Sequence, residues 1–124
     1  AAIADDDPVL FLLPKHLFRR PFAAEQDQPV ALGEAKIRKE GNDVSVITWG
    51  NCVPLALEAA AMLEQEATSV EVIDLRTLVP CDWDAVRQSV AKTGRLVVVH
   101  EDNQTCGFGQ AIIHFITFDG SKSK

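Results

Sequence analysis

Arg95-Leu96-Val97-Val98-Val99-His100, residues 95–100, is the stretch that decides the fold. Its four central residues are all apolar, which is typical of a strand in a sheet that is covered on both faces. Two similar segments precede it at residues 44–49 (VSVITW) and 70–75 (VEVIDL). We expect these three segments to be parallel neighbours in one central sheet.

Helical patterns follow each of these strands. The first helix has Pro54 in its first turn, where a missing N–H is harmless, and its apolar stripe is Val53, Ala56, Leu57, Ala60 and Leu63. The second helix has Asp82 as its N-cap and Gly94 as its end. The predicted helices cover residues 53–66, 83–93 and 107–118. This β-α-β-α-β-α order with right-handed crossovers predicts a parallel sheet with helices on both sides.

Composition argues against several classes of function. The chain has 124 residues, with 12 Lys and Arg against 18 Asp and Glu, so its net charge is −6. This balance argues against nucleic acid as a partner, because nucleic acids are bound through basic patches. No apolar stretch reaches the roughly 18 residues that a membrane span needs, and no targeting segment is visible. Three cysteines, Cys52, Cys81 and Cys106, indicate free thiols in a reducing compartment.

The first part of the chain differs from the rest. Val9–Leu13 is an apolar run of strand length bounded by prolines, and a polar stretch without periodicity follows it. A lone strand before a linker is an unusual start for a domain and resembles the tail of a preceding one. We therefore predict a tail over 1–19, a linker over 20–29 and a domain over 30–124.

Functional residues are expected at the carboxyl ends of the strands, where parallel sheets bind ligands. The most suggestive loop follows the last strand: His100, Glu101 and Asp102 leave that strand, and Gly107-Phe108-Gly109 opens the third helix. The glycines fit either close packing or an anion at the helix N-terminus. The absence of a third glycine and of a P-loop lysine favours packing.

Other chemical interpretations of these residues are weaker. Cys106 with His100 and Asp102 makes a formal nucleophile, base and orienting acid, but no local signature supports this set and a structural thiol is favoured. The adjacent residues 100–102 alternate faces, so their spacing does not predict a metal site. Asp74 and Arg76 are expected to pair at their strand end and to hold the loop that follows.

Several stretches resemble one known family in the same order along the chain. Residues 72–80 (VIDLRTLVP) resemble EVIDLRTLxPxD in the beta subunit of the thiamine-dependent decarboxylase component of 2-oxoacid dehydrogenase complexes. Residues 29–50 (PVALGEAKIRKEGNDVSVITWG) resemble xxPLGxAxVxREGxDVTxVxxG of that family. Residues 92–101 (KTGRLVVVHE) and 106–109 (CGFG) resemble its KTGRLVVVHE and GGFG. The resemblance runs from Asp7 to about Ile116.

The resemblance implies an architecture and a reaction. Residues 30–124 would be a transketolase C-terminal domain, a three-layer αβα fold with a mostly parallel sheet of about five strands. It would be truncated at the last strand and helix, and its first strand, near Leu32–Arg38, would be antiparallel to the rest. Residues 1–19 would be the tail of a pyrimidine-binding domain. The family's enzyme is an α2β2 heterotetramer of alpha and beta subunits. With thiamine diphosphate and magnesium it decarboxylates pyruvate or a branched-chain 2-oxoacid and acylates the lipoyl group of a dihydrolipoyl acyltransferase.

The chain departs from the family pattern at several positions. Cys106 and Ala67 stand where the family usually has glycine, Asn51 replaces a Ser or Thr, and Ala111 lacks an acid. The glutamate that activates the cofactor belongs to the pyrimidine-binding domain, so no catalytic, cofactor-binding or metal-binding residue is assigned here. We predict that this chain alone is inactive and holds no cofactor. The candidate subunit-interface loop comprises His100, Glu101, Asp102, Gly107, Phe108 and Gly109.

Two alternatives remain open. One is the C-terminal domain of another enzyme of the transketolase superfamily, such as deoxyxylulose-phosphate synthase. The other is a stand-alone anion-binding α/β module without a thiamine partner.

Within the 2-oxoacid dehydrogenases, Pro14–Arg19 (PKHLFR) is closer to the branched-chain members, with their PKxLYR. The expected location is the cytoplasm of a bacterium, the mitochondrial matrix or a plastid.

Overall fold

The computed structural model describes residues 6–10 and 31–119. The chain divides into two units, Ala1–Leu32 and Gly33–Lys124. Of the first unit, residues 6–10 are exposed and form neither helix nor strand. The predicted strand at Val9–Leu13 and the linker over 20–29 lie largely outside the described residues, so the division into tail, linker and domain stays a prediction.

The second unit alternates strands and helices as the apolar patterns predict. The elements in chain order are β1 (Lys36–Lys39), β2 (Val44–Thr48), α1 (Cys52–Gln65), β3 (Val70–Asp74), α2 (Trp83–Thr93), β4 (Leu96–Val99) and α3 (Phe108–His114), which continues into a π-helical turn over Phe115–Asp119. None of the described helices is long and apolar enough to cross a membrane.

The sheet has the strand order β1-β3-β2-β4 in the described part of the chain. β2 lies at the centre and pairs in parallel with both β3 and β4. β1 pairs with β3 in the antiparallel sense. The predictions of three parallel strands and of an antiparallel first strand are therefore confirmed, with four strands present where the family pattern has about five.

Helices cover both faces of this sheet, which confirms the three-layer prediction. α1 packs on one face in a cluster of Ala56, Ala60, Val70 and Val72. α2 and α3 pack on the other face in a cluster of Ile47, Ile73, Leu75, Val86 and Ile112. Leu63, the last residue of the predicted apolar stripe, is 38% exposed. The last turn of α1 extends past Ala60, the last α1 residue in the cluster.

The helix ends follow from specific residues. The Asp82 carboxylate accepts a hydrogen bond from the N–H of Ala85 at 3.0 Å and caps α2, as its position before the helix predicts. Gly94 ends α2 in the left-handed conformation with φ 69°. α1 ends in a similar way, but there the left-handed residue is Ala67, with φ 59°.

A polar cluster lies between β2 and α2. The hydroxyl of Ser45 is 2.6 Å from the Ser89 hydroxyl and 2.7 Å from the Thr93 hydroxyl. All three side chains are buried. Because each hydroxyl has a partner, the cluster fixes the position of α2 on the sheet without leaving an unsatisfied polar group.

Candidate functional site

The candidate interface loop connects β4 to α3 at the carboxyl edge of the sheet, and His100 anchors its start. The His100 ring stacks on Trp49 of the neighbouring strand end, with ring centroids 5.2 Å apart and planes 15° apart. Its Nδ1 accepts a hydrogen bond from the backbone N–H of Asp102 at 3.2 Å. The ring is thus held on one side by an aromatic surface and at its edge by its own loop.

The two glycines of the loop are required by their closeness to this ring. A Cβ on Gly109 would overlap Nε2 of His100 and lie 2.8 Å from its Cδ2. A Cβ on Gly107 would lie 2.9 Å from Cε1 of His100 and would overlap the carbonyl of Asn103. Both glycines therefore permit close packing of α3 on β4, which is the interpretation that the sequence favours over anion binding.

Phe108 anchors the other end of the loop. Its ring meets Trp49 edge to face, with centroids 5.8 Å apart. It also stacks on Trp83 at the start of α2, with centroids 6.0 Å apart. Phe108 packs against the core cluster on the α2 face. Within the predicted interface loop it is therefore a packing residue, whereas residues 101–106 between the two anchors are all exposed.

Asn51 joins the loop after β2 to the loop after β4. Its Nδ2 donates to Oε2 of Glu101 at 2.7 Å, and its Oδ1 is buried without a partner in the described residues. An N-cap oxygen ordinarily accepts from the second or third helical N–H. In α1 the third residue is Pro54, which has no N–H, and the N–H of Val53 donates to Gly50 instead. Asn51 therefore links two loops and does not cap its helix.

The Glu101 carboxylate also affects a neighbouring thiol, that of Cys52. Burial raises the pKa of Cys52, and the nearby Glu101 carboxylate adds to this rise. Burial likewise raises the pKa of Cys81 to about 11, with a contribution from Asp82. All three cysteines are free thiols. The two raised pKa values keep Cys52 and Cys81 protonated and therefore poor nucleophiles.

Cys106 is the exposed thiol of the set, but it does not form a catalytic arrangement with His100. It adopts a left-handed conformation with φ 65°. Its backbone N–H donates to Oε1 of Gln110 at 3.1 Å. His100 has its Nδ1 occupied by the Asp102 N–H and its Nε2 packed against Gly109. The formal set of nucleophile, base and orienting acid is therefore not assembled.

A shallow groove of about 380 Å³ lies between this loop, β4 and α3. An adjoining groove of about 440 Å³ continues along α3 and shares Gln104, Gln110 and Ile113 with it. The polar groups of the first groove are one imidazole, one carboxylate and two amides; its lining residues are Val98, Val99, His100, Asp102, Gln104, Gly109, Gln110 and Ile113. Neither lining includes a Lys or an Arg, so the grooves offer an anion no permanently charged side chain.

The described residues do not fit thiamine diphosphate with magnesium either. A diphosphate-bound magnesium ion needs oxygen ligands that converge on one point. The described part of the chain contains no group of three or more His, Cys, Asp or Glu side chains able to hold a metal ion. No step of the family's reaction is therefore assigned to these residues.

A second structured region follows β3, and it differs from the prediction that the side chains of Asp74 and Arg76 pair. The backbone N–H of Arg76 donates to Asp74 at 3.1 Å, whereas its guanidinium Nε donates to the carbonyl of Glu34 at 3.0 Å. The left-handed backbone at Arg76, with φ 57°, bends the chain there, so the side chain reaches the segment before β1. Asp82 holds the same segment, because its Oδ2 accepts from the N–H of Ala35 at 2.9 Å. The expected Asp74–Arg76 side-chain pair is thus replaced by hydrogen bonds from the Arg76 side chain and to the Asp82 side chain, which hold the segment before β1.

Burial is the main influence on the Asp74 carboxylate in this region. It raises the pKa of Asp74, while the N–H of Arg76 and nearby basic side chains oppose the rise.

Sequence reasoning did not single out Trp49, whose ring contacts both His100 and Phe108. Its one signal was an aromatic residue at the carboxyl end of a predicted strand.

The comparisons with known proteins agree with this architecture. Residues 33–122 match the transketolase C-terminal domain family. The chain is 44% identical over 115 residues to the pyruvate dehydrogenase E1 component subunit beta of Staphylococcus aureus, an alignment that covers 91% of this chain and 35% of the relative. The same subunit of Rickettsia bellii is 45% identical over 112 residues, covering 90% of this chain and 34% of that protein. The chain therefore spans about a third of the length of these relatives.

A solved structure shows the same fold. It is described as a split-gene transketolase in an inactive beta4 tetramer. It superimposes with a TM-score of 0.73 and 32% sequence identity, covering 78% of this chain and 32% of that chain. The resemblance to beta subunits of 2-oxoacid dehydrogenases is confirmed at the level of sequence similarity, and the chain belongs to the transketolase C-terminal domain family.

Proposed function

We propose that this domain is the C-terminal part of the beta subunit of a 2-oxoacid dehydrogenase. Its similarity to pyruvate dehydrogenase E1 beta subunits over 91% of the chain carries the proposal. In the assembled enzyme, other domains would bind thiamine diphosphate and magnesium and carry out the oxidative decarboxylation and the acyl transfer to lipoyl. This domain would contribute to subunit assembly and would brace that cofactor site.

The loop between β4 and α3 is the surface that this role would use. Its exposed residues 101–106 lie between two packed anchors, His100 and Phe108. A surface whose ends are already ordered loses little conformational entropy on binding. The proposed partners are an alpha subunit and a second beta subunit in an α2β2 heterotetramer, together with the dihydrolipoyl acyltransferase that the tetramer would serve.

Pyruvate is the first substrate to test, because the relatives named above are pyruvate dehydrogenase subunits. The similarity of Pro14–Arg19 to branched-chain members makes 2-oxoisovalerate the second. A cytoplasmic or organellar-matrix location belongs to the same proposal. The anion-binding module is less favoured, because the linings of the grooves beside the loop include no Lys or Arg.

Co-expression with a tagged alpha subunit tests the proposal. The chain should co-purify with the alpha subunit, and Asp102→Lys should weaken this association by roughly tenfold, because it reverses a charge in the exposed loop. Glu58→Lys is the matched control, since it makes the same charge change on the exposed side of α1 and should leave the association unchanged. A chain that purifies alone in every case would contradict the proposal and would favour a stand-alone module.

A further inference from the structure

The two nitrogens of the His100 imidazole have different surroundings. Nδ1 accepts the hydrogen bond from the backbone N–H of Asp102, and an imidazole nitrogen can accept a hydrogen bond only when it carries no proton. The ring proton is therefore on Nε2, which lies against Gly109. The folded loop thus selects one state of His100, the neutral ring with its proton on Nε2.

The position of the ring is fixed by its neighbours. Trp49 stacks on one face, with the two planes 15° apart. Gly107 and Gly109 approach so closely that a Cβ on either residue would collide with the ring. The ring cannot turn away from the Asp102 N–H without losing these contacts, so a change in its protonation must be accommodated by the loop.

The bond to His100 attaches the loop of exposed residues 101–106 to the end of β4. In the described part of the chain, this loop is also joined to other elements by the side chain of Glu101 and by the N–H of Cys106. The N–H of Asp102 makes the attachment that lies between these two. Its loss would release residues 102–105 from the fold.

Two carboxylates follow His100 directly in the loop. Glu101 accepts from the Asn51 amide, and Asp102 accepts from the N–H of Asn103 at 2.7 Å, so neither is bound to the ring. The residues of β2 and α3 that pack on the ring are uncharged: Trp49, Gly107 and Gly109. The groove that the ring lines contains the Asp102 carboxylate and no Lys or Arg, and His114 of α3 lines only the adjoining groove.

Protonation of His100 changes which group of Asp102 the ring can bind. A proton on Nδ1 would place two N–H donors opposite one another, so the bond from the Asp102 N–H would be lost. The imidazolium would attract the Asp102 carboxylate, which can approach Nδ1 only after the N–H has turned away. Cation–π attraction to Trp49 would keep the protonated ring stacked in place.

We propose that His100 is a pH-sensitive switch of the loop between β4 and α3. The neutral ring holds the loop through the Asp102 N–H, whereas the protonated ring releases that N–H and draws the Asp102 carboxylate inward. Histidine side chains change charge between about pH 8 and pH 5, so the loop has one conformation at the upper end of this range and another at the lower end.

The switch has a consequence for subunit association, which rests on the proposed function. An Asp102 carboxylate that is drawn towards His100 is no longer presented to an alpha subunit. The association should therefore weaken as the pH falls through the range in which His100 gains its proton.

Nitrogen-15 NMR of the chain alone tests the switch. At about pH 8 the His100 ring should carry its proton on Nε2, and a scalar coupling through the hydrogen bond should join Nδ1 to the backbone nitrogen of Asp102. At about pH 5 the coupling should be lost, and the amide signals of Asp102 and Asn103 should have shifted with the same midpoint as the ring.

Three NMR results would overturn the proposal. The first is a neutral ring with its proton on Nδ1, because that nitrogen could not accept the Asp102 N–H. The second is a ring that titrates while the Asp102 and Asn103 amide signals stay in place. The third is a ring that remains neutral down to about pH 5.

Tryptophan fluorescence assigns the transition to one histidine. In a Trp83→Phe background, Trp49 is the remaining indole of the chain, and an imidazolium stacked on it should quench its emission as the pH falls. His100→Gln should abolish this loss of emission, and the matched control His114→Gln should retain it. A loss that survives His100→Gln would contradict the proposal. Because the NMR measurement uses the wild-type chain, it is independent of how well these variants fold.

Binding to a tagged alpha subunit tests the consequence for association. The dissociation constant should rise roughly tenfold between about pH 7.5 and about pH 5.5, and His100→Gln should lose this dependence. Equal affinity at both pH values would contradict the regulation and leave the proposed function standing. A chain that does not bind the alpha subunit at either pH would contradict the proposed function, and the NMR measurement would still decide whether His100 is a switch.

Discussion

The carboxylate of Glu71 on β3 accepts a hydrogen bond from Nζ of Lys92 on α2, although the Glu71 side chain is only 1% exposed. Lys92 is also 3.2 Å from the carboxylate of Glu40. Burial acts to raise the pKa of Glu71, but the hydrogen bonds from Lys92 and Ser89 outweigh it, so the pKa lies below its ordinary value. The bond to Glu71 raises the pKa of Lys92 in turn. A charged pair thus connects the sheet to α2.

Replacement of Lys92 should show how much the burial of the Glu71 carboxylate lowers the free energy of unfolding when its partner is absent. Lys92→Met should lower the free energy of unfolding at pH 7 by about 2 kcal/mol, because the Glu71 carboxylate is then buried without its positively charged partner, with a discount for the partial exposure of Lys92. Lys39→Met removes the exposed Lys39–Glu64 pair and should change stability by less than about 1 kcal/mol. Urea denaturation measures both. Equal effects of the two substitutions would contradict the interpretation of Glu71 as a buried charge.

The same pair predicts a pH dependence whose sign reverses in the variant. In the wild type the folded-state pKa of Glu71 lies below 4.5, so its stabilisation is present above the pKa of the unfolded chain and is lost as the pH falls through the folded-state pKa. Without Lys92, burial is no longer offset by that bond, and the folded-state pKa rises. The difference in free energy of unfolding between the wild type and Lys92→Met should therefore shrink as the pH is lowered below the ordinary pKa of glutamate. A constant deficit across this range would contradict the assignment.

Sequence patterns predicted the frame of the fold because the frame depends on local signals. Apolar runs indicated the central strands, and Asp82 and Gly94 marked the ends of α2 through their own chemistry. The antiparallel position of β1 came from the family resemblance and is confirmed. These features need no knowledge of which side chains meet across the fold.

The side-chain contacts of the site could not be predicted in the same way. Glu71 alternates with apolar residues as a solvent-facing residue would, and its partner Lys92 is 21 residues away on a helix. The stacking of His100 on Trp49 depends on the register of β4 against β2. The role of Asn51 depends on Pro54 and on Glu101 together. Each contact joins separate elements, and no local pattern specifies the pairing.

Ala67 predicts a stabilising substitution at the end of α1. It lies at φ 59°. Its N–H donates to the carbonyl of Glu64, and the N–H of Thr68 donates to the carbonyl of Leu63. These two hydrogen bonds are those of a Schellman motif. Since glycine adopts this conformation without strain, Ala67→Gly should raise the free energy of unfolding by about 0.5–1 kcal/mol. Ala59→Gly, within the same helix, should lower it by about 1 kcal/mol. Thermal unfolding measures both changes, and a loss of stability in Ala67→Gly would contradict the left-handed assignment.

Gly109 predicts the opposite outcome, because the space beside it is occupied. Gly109→Ala should destabilise the domain by about 2 kcal/mol, since the added Cβ meets the His100 ring and lies 3.3 Å from Cγ1 of Val98. Trp49 fluorescence should change as well, because the displaced ring stacks on its indole. The control is Gly50→Ala, at φ 56° with no atom within 4 Å of the added Cβ. It should lose only about 1 kcal/mol and keep the fluorescence. A small loss of stability in Gly109→Ala, with unchanged Trp49 fluorescence, would show that the loop is not packed on His100.

The central claim is that this domain supports a cofactor site that other domains build, and titration of the chain alone tests it most directly. Calorimetry with thiamine diphosphate and magnesium, combined with a ferricyanide-coupled decarboxylation assay on pyruvate and 2-oxoisovalerate, measures both binding and turnover. We predict no heat beyond dilution and no turnover above a heat-denatured control. The described residues contain no group of side chains able to hold a metal ion, and the two grooves beside the loop have no Lys or Arg for a diphosphate. Saturable micromolar binding of the cofactor, or turnover by the chain alone, would contradict the claim.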